Sequence, residues 1–255
     1  MSYNTRRYFE KRIRKKVGSA IHDYSMIAPE DKVVVAISGG IDSIAMLKVL
    51  CDLRKAAPVQ FEIIPVHIKT GFEKGFEKVA IWIYNELHLE VIEVDSRISA
   101  VLEKVSDPEK STCALCSRLR RGILYGLAPR INASSIALGH HMDDIIETFL
   151  LRCFFTGQIG AMAPSRVSND GKNRVIRPMA YCTKDLVDNY FHFLDIEPVD
   201  NACPLRNDSK REMVRTYLSE FERQNPTVKY SIFAALGNID TKSMCLKEGF
   251  YAYHD

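Results

Sequence analysis

The sequence predicts an α/β protein, a parallel β-sheet with helices on both faces, and three observations predict it. Short apolar runs recur at 32–37, 61–68, 90–94 and 134–138. Between them lie segments of helical spacing at about 42–55, 72–88, 117–127 and 143–155, each long enough to cross from one parallel strand to the next. Finally, Val33-Val34-Val35-Ala36-Ile37 runs straight into Ser38-Gly39-Gly40-Ile41-Asp42-Ser43, so a buried strand ends in a glycine pair that opens a helix. Ligands of such sheets gather at the carboxyl ends of the strands, where Ser38, His67 and Gly139 emerge.

The elements before and after this alternation have their own signals. Arg6, Arg7, Lys11, Arg12, Arg14, Lys15 and Lys16 crowd an N-terminal helix over residues 1–28. The segment places Tyr8, Phe9, Ile13 and Val17 at mixed spacings, so one side of the helix docks on the body and the other faces solvent or phosphates. The nucleotide-binding domain spans 29–200 and a helical segment spans 201–255. Residues 157–173 shift to Gly, Pro, Ser and Asn, the composition of a lid or substrate-facing loop. A short strand at 174–177 follows, then helices near 184–194, 209–224 and 229–236.

Composition bounds the class. A chain of 255 residues with 46% hydrophobic content builds an ample core, and a net charge of +3 is too small to argue for nucleic acid by itself. The first twenty residues are too polar for a secretory segment and no apolar stretch has membrane-spanning length, so a cytoplasmic protein with no membrane partner is expected. Seven cysteines, an odd number, point to reduced thiols rather than a disulfide framework. Cys51, Cys153 and Cys182 sit among apolar neighbours and read as packing residues; Phe154 and Phe155 read as core, with stacking on a base as the rival role.

Three constellations carry chemistry. The Ser38-Gly39-Gly40-x-Asp42-Ser43 loop offers main-chain N–H groups and two hydroxyls to a pyrophosphate, with a helix N-terminus aimed at it. Its spacing is not that of loops that transfer a γ-phosphoryl group, so attack at the α-phosphate is the expected chemistry, with Asp42 serving Mg²⁺. Gly139-His140-His141-Met142-Asp143-Asp144 follows the fourth strand. Gly139 permits close approach of adenosine, Asp143 or Asp144 completes the metal site opposite Asp42, and Asp143 caps the next helix. Adjacent residues do not all aim at one ion, which disfavours zinc. The third constellation is Cys113-x-x-Cys116 followed by Arg118, Arg120 and Arg121. That spacing serves a redox pair, half a zinc site or two ligands of an iron–sulfur cluster, with Cys203 as a third ligand.

In this order, Ser-Gly-Gly-x-Asp-Ser, Cys-x-x-Cys-Ser-Arg-Leu-Arg-Arg-Gly-Ile-Leu-Tyr, Leu-Gly-His-His-x-Asp-Asp and Ile-Arg-Pro-x-Ala-Tyr-Cys resemble the tRNA 2-thiocytidine synthetase (TtcA) family of PP-loop ATP pyrophosphatases. The resemblance runs from Lys11 to about Cys245. It implies an adenine nucleotide α-hydrolase-like, Rossmann-like fold, ATP and Mg²⁺, and a [4Fe–4S] cluster on Cys113, Cys116 and Cys203. The activity it implies is ATP-dependent tRNA thiolation at C2 of cytidine: adenylation of the carbonyl oxygen, then sulfur transfer. Asp42, Asp144 and the three cysteines would be catalytic; Ser38, Gly39, Gly40, Ser43, His67 and Gly139 would bind nucleotide. Lys11, Arg12, Arg14, Arg118, Arg120, Arg121 and the loop around Arg166 and Lys172 would contact tRNA. Expected partners are tRNA, a sulfur donor such as a cysteine desulfurase, and a second copy of the chain as a homodimer.

The chain departs from the family at three places. Ile41 stands where Lys is usual, Arg206 falls where a later cysteine would, and His67-Ile68-Lys69 replaces an Asn-Leu-Asp type sequence. Thiolation of uridine, desulfuration of a thiolated base, and a non-catalytic iron–sulfur or nucleotide sensor are the competing readings.

Overall fold

The computed structural model describes residues 3–105, 112–169, 171–201, 203 and 209–245; Arg206 lies outside them. Strands β1 (Lys32–Ala36), β2 (Glu62–Lys69), β4 (Ile92–Asp95), β5 (Ser135–Ala137), β6 (Ser165–Val167) and β7 (Arg174–Ile176) form one sheet in the order β4-β2-β1-β5-β7-β6. All neighbours are parallel except the edge pair β6–β7. β1 sits between β2 and β5, with Val34 opposite Ile64 and Ile136. The chain therefore turns one way after β1 and the other way at β5, which opens a crevice between their carboxyl ends.

The apolar run of β1 is continuous because both of its faces are covered. Val33 and Val35 belong to one core with α1 (Tyr3–Asp23), α2 (Ile41–Ala56) and α7 (Lys184–Phe191). Val34 points to the opposite core, with Ile98 and Leu102 of α4 (Ile98–Val105) and Leu124 of α5 (Cys113–Leu127). Helix α1 docks through Ile13, Val17 and Ala20 and leaves Lys11, Arg12 and Arg14 exposed.

Several elements differ from expectation. The helix expected from residue 72 begins at Phe76 as α3 (Phe76–Trp82), because Glu73–Lys74 (β3) pairs antiparallel with Asp200–Asn201 (β8). It ends in a π-helical turn, Ile83–Leu87, stopped by His88 at φ +54°. Helix α5 starts at Cys113 rather than Ser117, so both thiols of the pair ride on its first turn. The irregular stretch 157–173 contains β6, folded back on β7. Phe154 and Phe155, on α6 (Met142–Thr156), are exposed rather than core, at 63% and 41%. Cys51 and Cys182 are buried, whereas Cys153 is only half-buried. Helices α8 (Ser209–Gln224) and α9 (Val228–Ala235) pack on α6.

Candidate active site

The loop after β1 is held in shape by its own hydroxyls. Ser43 Oγ donates to Gly40 O (2.9 Å), Ser38 N–H donates to Ser43 Oγ (3.2 Å), and Gly40 N–H donates to Ser38 Oγ (3.3 Å). Gly39 takes φ +83°, and a Cβ there would lie 2.5 Å from the Val199 side chain. Only glycine fits, for conformation and for space. Val199 N–H donates to Gly39 O (2.8 Å), so the segment that leads on to β8 and Cys203 is strapped to the loop.

Two residues assigned to nucleotide contact stand one layer back. His67 is 2% exposed, stacks on Phe76 with ring centroids 3.4 Å apart, and meets Ile37 O through Nδ1 at 2.8 Å. It braces the root of the loop from below. Burial lowers its pKa, against the pull of that carbonyl and of Glu73. A Cβ on Gly139 would come within 3.2 Å of the Asp42 and Ser43 backbone, so its missing side chain lets β5 approach the loop itself.

A charged corner joins the loop to α6. Asp42 Oδ1 receives the Lys184 ammonium at 2.7 Å, and Lys184 also pairs with Asp188 at 2.8 Å. Burial opposes the charge of Lys184, but the two carboxylates outweigh it and its pKa is raised. The His141 ring lies 4.0 Å from Asp42 and 3.4 Å from Asp144. Asp144, not Asp143, closes the start of α6 by accepting His141 N–H at 3.0 Å. Asp143 is buried and accepts Lys184 N–H (2.7 Å) and the Lys229 ammonium (2.9 Å). It is held well below the usual carboxylate range despite burial, by His141, Lys229 and that N–H.

The adjacent histidines diverge. Burial and nearby Arg177 push His140 down to about 4. At His141 burial is outweighed by Asp143, Asp144 and Asp42, which raise its pKa. The corner thus holds a neutral imidazole beside one that favours its charged form.

On α5, Cys113, Cys116 and Arg120 share one face at i, i+3 and i+7, while Arg118, Arg121 and Tyr125 share another. Burial pushes the half-buried Cys116 thiol up, Arg120 opposes this, and Cys203 and Cys113 push it further. Cys203 therefore lies in the electrostatic neighbourhood of the pair. Among the described residues, no three His, Cys, Asp or Glu side chains converge closely enough to form a ready-made metal site. Lys184 and Val199 were missed by sequence reasoning. Their roles depend on contacts across more than a hundred residues, for which the sequence gives no local signal.

The sequence profile of the PP-loop domain matches residues 8–221. The tRNA-cytidine(32) 2-sulfurtransferase of Shewanella baltica is 44% identical over 233 residues, covering 90% of this chain and 74% of the relative. The chain belongs to this PP-loop sulfurtransferase family. The corresponding Pseudomonas putida protein is 42% identical over 232 residues, covering 90% of this chain and 84% of its own. Among solved structures, the U34-tRNA thiolase NcsA from Methanococcus maripaludis, described with its [4Fe–4S] cluster, superposes with a TM-score of 0.76. It is 22% identical, covering 94% of this chain and 84% of its own, and it supports the fold. No helix among the described residues is long and apolar enough to cross a membrane.

Proposed function

We propose that this chain is an ATP-dependent tRNA sulfurtransferase that converts cytidine 32 of tRNA to 2-thiocytidine. The observation that carries the reading is the junction of a pyrophosphate-shaped Ser38–Ser43 loop with a three-cysteine neighbourhood, linked by the Val199 strap. Family membership supplies the substrate.

The loop amides and the Ser38 and Ser43 hydroxyls take the β- and γ-phosphates, and the α2 N-terminus stabilises the charge that builds on the leaving pyrophosphate. Ile41 leaves out one cation of the family pattern, and Lys184, poised 2.7 Å from Asp42, supplies it. Asp42 and Asp144 flank His141 from two elements and suit Mg²⁺, which typically takes one or two carboxylates and fills its shell with phosphate oxygens and water.

The C2 carbonyl oxygen of cytidine attacks the α-phosphorus and pyrophosphate leaves. Hydrosulfide then attacks C2, AMP departs with the oxygen, and the S–H proton is released to leave the C2 thiocarbonyl. Brought together, Cys113, Cys116 and Cys203 would be a soft thiolate donor set for a [4Fe–4S] cluster, which would supply a Lewis-acidic site for sulfide. Arg120, on the cysteine face of α5, offsets the negative charge of the thiolates. Lys11, Arg12 and Arg14 on the exposed face of α1, with Arg118 and Arg121, hold tRNA phosphates. The reaction takes place in the cytoplasm, with a cysteine desulfurase as sulfur donor and a thiol reductant that supplies two electrons to release the persulfide sulfur as sulfide. A homodimer would cover exposed Phe154, Tyr217 and Phe221 on α6 and α8.

Mass spectrometry of tRNA nucleosides from a deletion strain tests the reading. Loss of 2-thiocytidine, restored by the gene, is expected. Unchanged 2-thiocytidine, or loss of a thiouridine instead, overturns it.

A further inference from the structure

The face of α5 turned away from the cysteines is not idle. With the β6–β7 hairpin it walls a cavity of about 490 Å³ that includes Arg118, Arg121, Tyr125, Arg166, Asn169 and Arg177. Among the described residues that line it there are four guanidinium groups and no carboxylate. Such a concentration of positive charge in one concavity calls for an anion. Arg166 is oriented by Asn169 Oδ1 at 2.9 Å. Arg177 donates to Ala163 O, and its buried Nε has no hydrogen-bond partner. A buried guanidinium N–H without a partner is costly, and a ligand oxygen would satisfy it.

Aromatic and apolar surface accompanies the charge. Tyr125 and Val175 belong to the wall, so the cavity offers a flat ring as well as phosphate donors. Ring plus guanidinium is how proteins hold an unpaired nucleotide, with the base stacked and the backbone clamped. Its position decides which nucleotide. Arg177 directly follows β7 and interacts electrostatically with His140 at the end of β5, so the cavity floor borders the charged corner. Yet Tyr125 and Arg121 lie on a different face of α5 from Cys113 and Cys116, so a base seated here is not presented to the thiols.

We propose that this cavity seats a nucleotide flanking the reacting cytidine in the single-stranded RNA loop, its base on Tyr125 and its phosphate among Arg118, Arg121, Arg166 and Arg177. The assignment rests on the tRNA reading above. It gives the enzyme a second grip on the strand, which holds the target base splayed toward the PP-loop.

The test is fluorescence anisotropy of a labelled anticodon stem-loop RNA on the full chain. Tyr125→Ala and Arg166→Ala should each weaken binding about tenfold, whereas Tyr125→Phe, which keeps the ring, should bind within about twofold of wild type. Arg166→Ala should also flatten the salt dependence of log K by roughly 0.7. A base-paired stem without its loop should show no difference between wild type and Tyr125→Ala, and millimolar inorganic phosphate should not displace the loop RNA. Thermal midpoints establish that the variants are folded; Arg166 is exposed, so its variant reports even if Tyr125→Ala unfolds. Wild-type affinity in folded Tyr125→Ala and Arg166→Ala overturns the proposal while leaving the sulfurtransferase reading intact. Displacement by phosphate alone overturns it in favour of a simple anion site, and failure of the wild-type chain to bind any tRNA overturns both readings.

Discussion

Lys184 sets the immediate electrostatic surroundings of Asp42. With the loop's usual lysine replaced by Ile41, its ammonium is the cation seen at 2.7 Å from Asp42, and nucleotide binding would draw it toward phosphate oxygens. Lys184→Ala is expected to weaken ATP binding about tenfold, as one lost charge-assisted contact would. Lys184→Arg should recover part of the loss. Calorimetric titration with ATP measures both, and an unchanged affinity in Lys184→Ala removes the residue from the site. His140 makes a second prediction at this scale. Its folded-state pKa of about 4 lies below the usual value, so its contribution is complete above about pH 6.5 and is lost as pH falls toward 4. Thermal melts of wild type and His140→Asn between pH 7 and 5 should converge on acidification; parallel curves would show that this imidazole is not the group involved. The Ser38–Ser43 loop was legible because its signal is contiguous. The capping carboxylate was misread as Asp143, because two adjacent aspartates compete for the cap and only Lys229 and Lys184 N–H decide which is drawn elsewhere.

Elements joined by buried charge show a different kind of dependence on the sequence. Helix α8 is bound to α6 through Glu147, 3% exposed, which receives Arg215 at 2.6 Å and Arg211 at 3.2 Å. Removing a cation leaves the buried carboxylate under-neutralised, so Arg215→Ala should cost about 2 kcal/mol. The midpoint of urea unfolding should fall at unchanged slope, and an unmoved midpoint would mean that Arg211 alone suffices. Helix α8 was readable to the residue, since its spacing and ends are local. The start of α3 was not. Gly75 at φ +82° and the pairing of Glu73 with Asn201 pull residues 73–74 into a strand, a contact made across about half of the chain. The early start of α5 was equally hidden, and it matters more, because it places Cys113 and Cys116 on one helical face with Arg120.

At the scale of the whole molecule, the order β4-β2-β1-β5-β7-β6 brings the loop after β1 and the Gly139–Asp144 turn together at one crevice. The alternation of apolar runs and helical spacing was enough to anticipate this parallel core, because each strand and helix declares itself over a few residues. Cys203 was expected to join the pair, but the strap through Val199 was not anticipated, since a single main-chain bond to Gly39 O and a two-residue strand carry it. That strap brings Cys203 into electrostatic range of Cys116 and ties its segment to the Ser38–Ser43 loop. The most direct measurement uses anaerobically reconstituted protein with tRNA, Mg-ATP and sulfide, followed by mass spectrometry of the nucleosides and assay of pyrophosphate. Wild type should form 2-thiocytidine with pyrophosphate released in step, and Cys203→Ser should form none while binding ATP within a few-fold of wild type. Full thiolation by Cys203→Ser, or pyrophosphate released with no thiolated base, would contradict it.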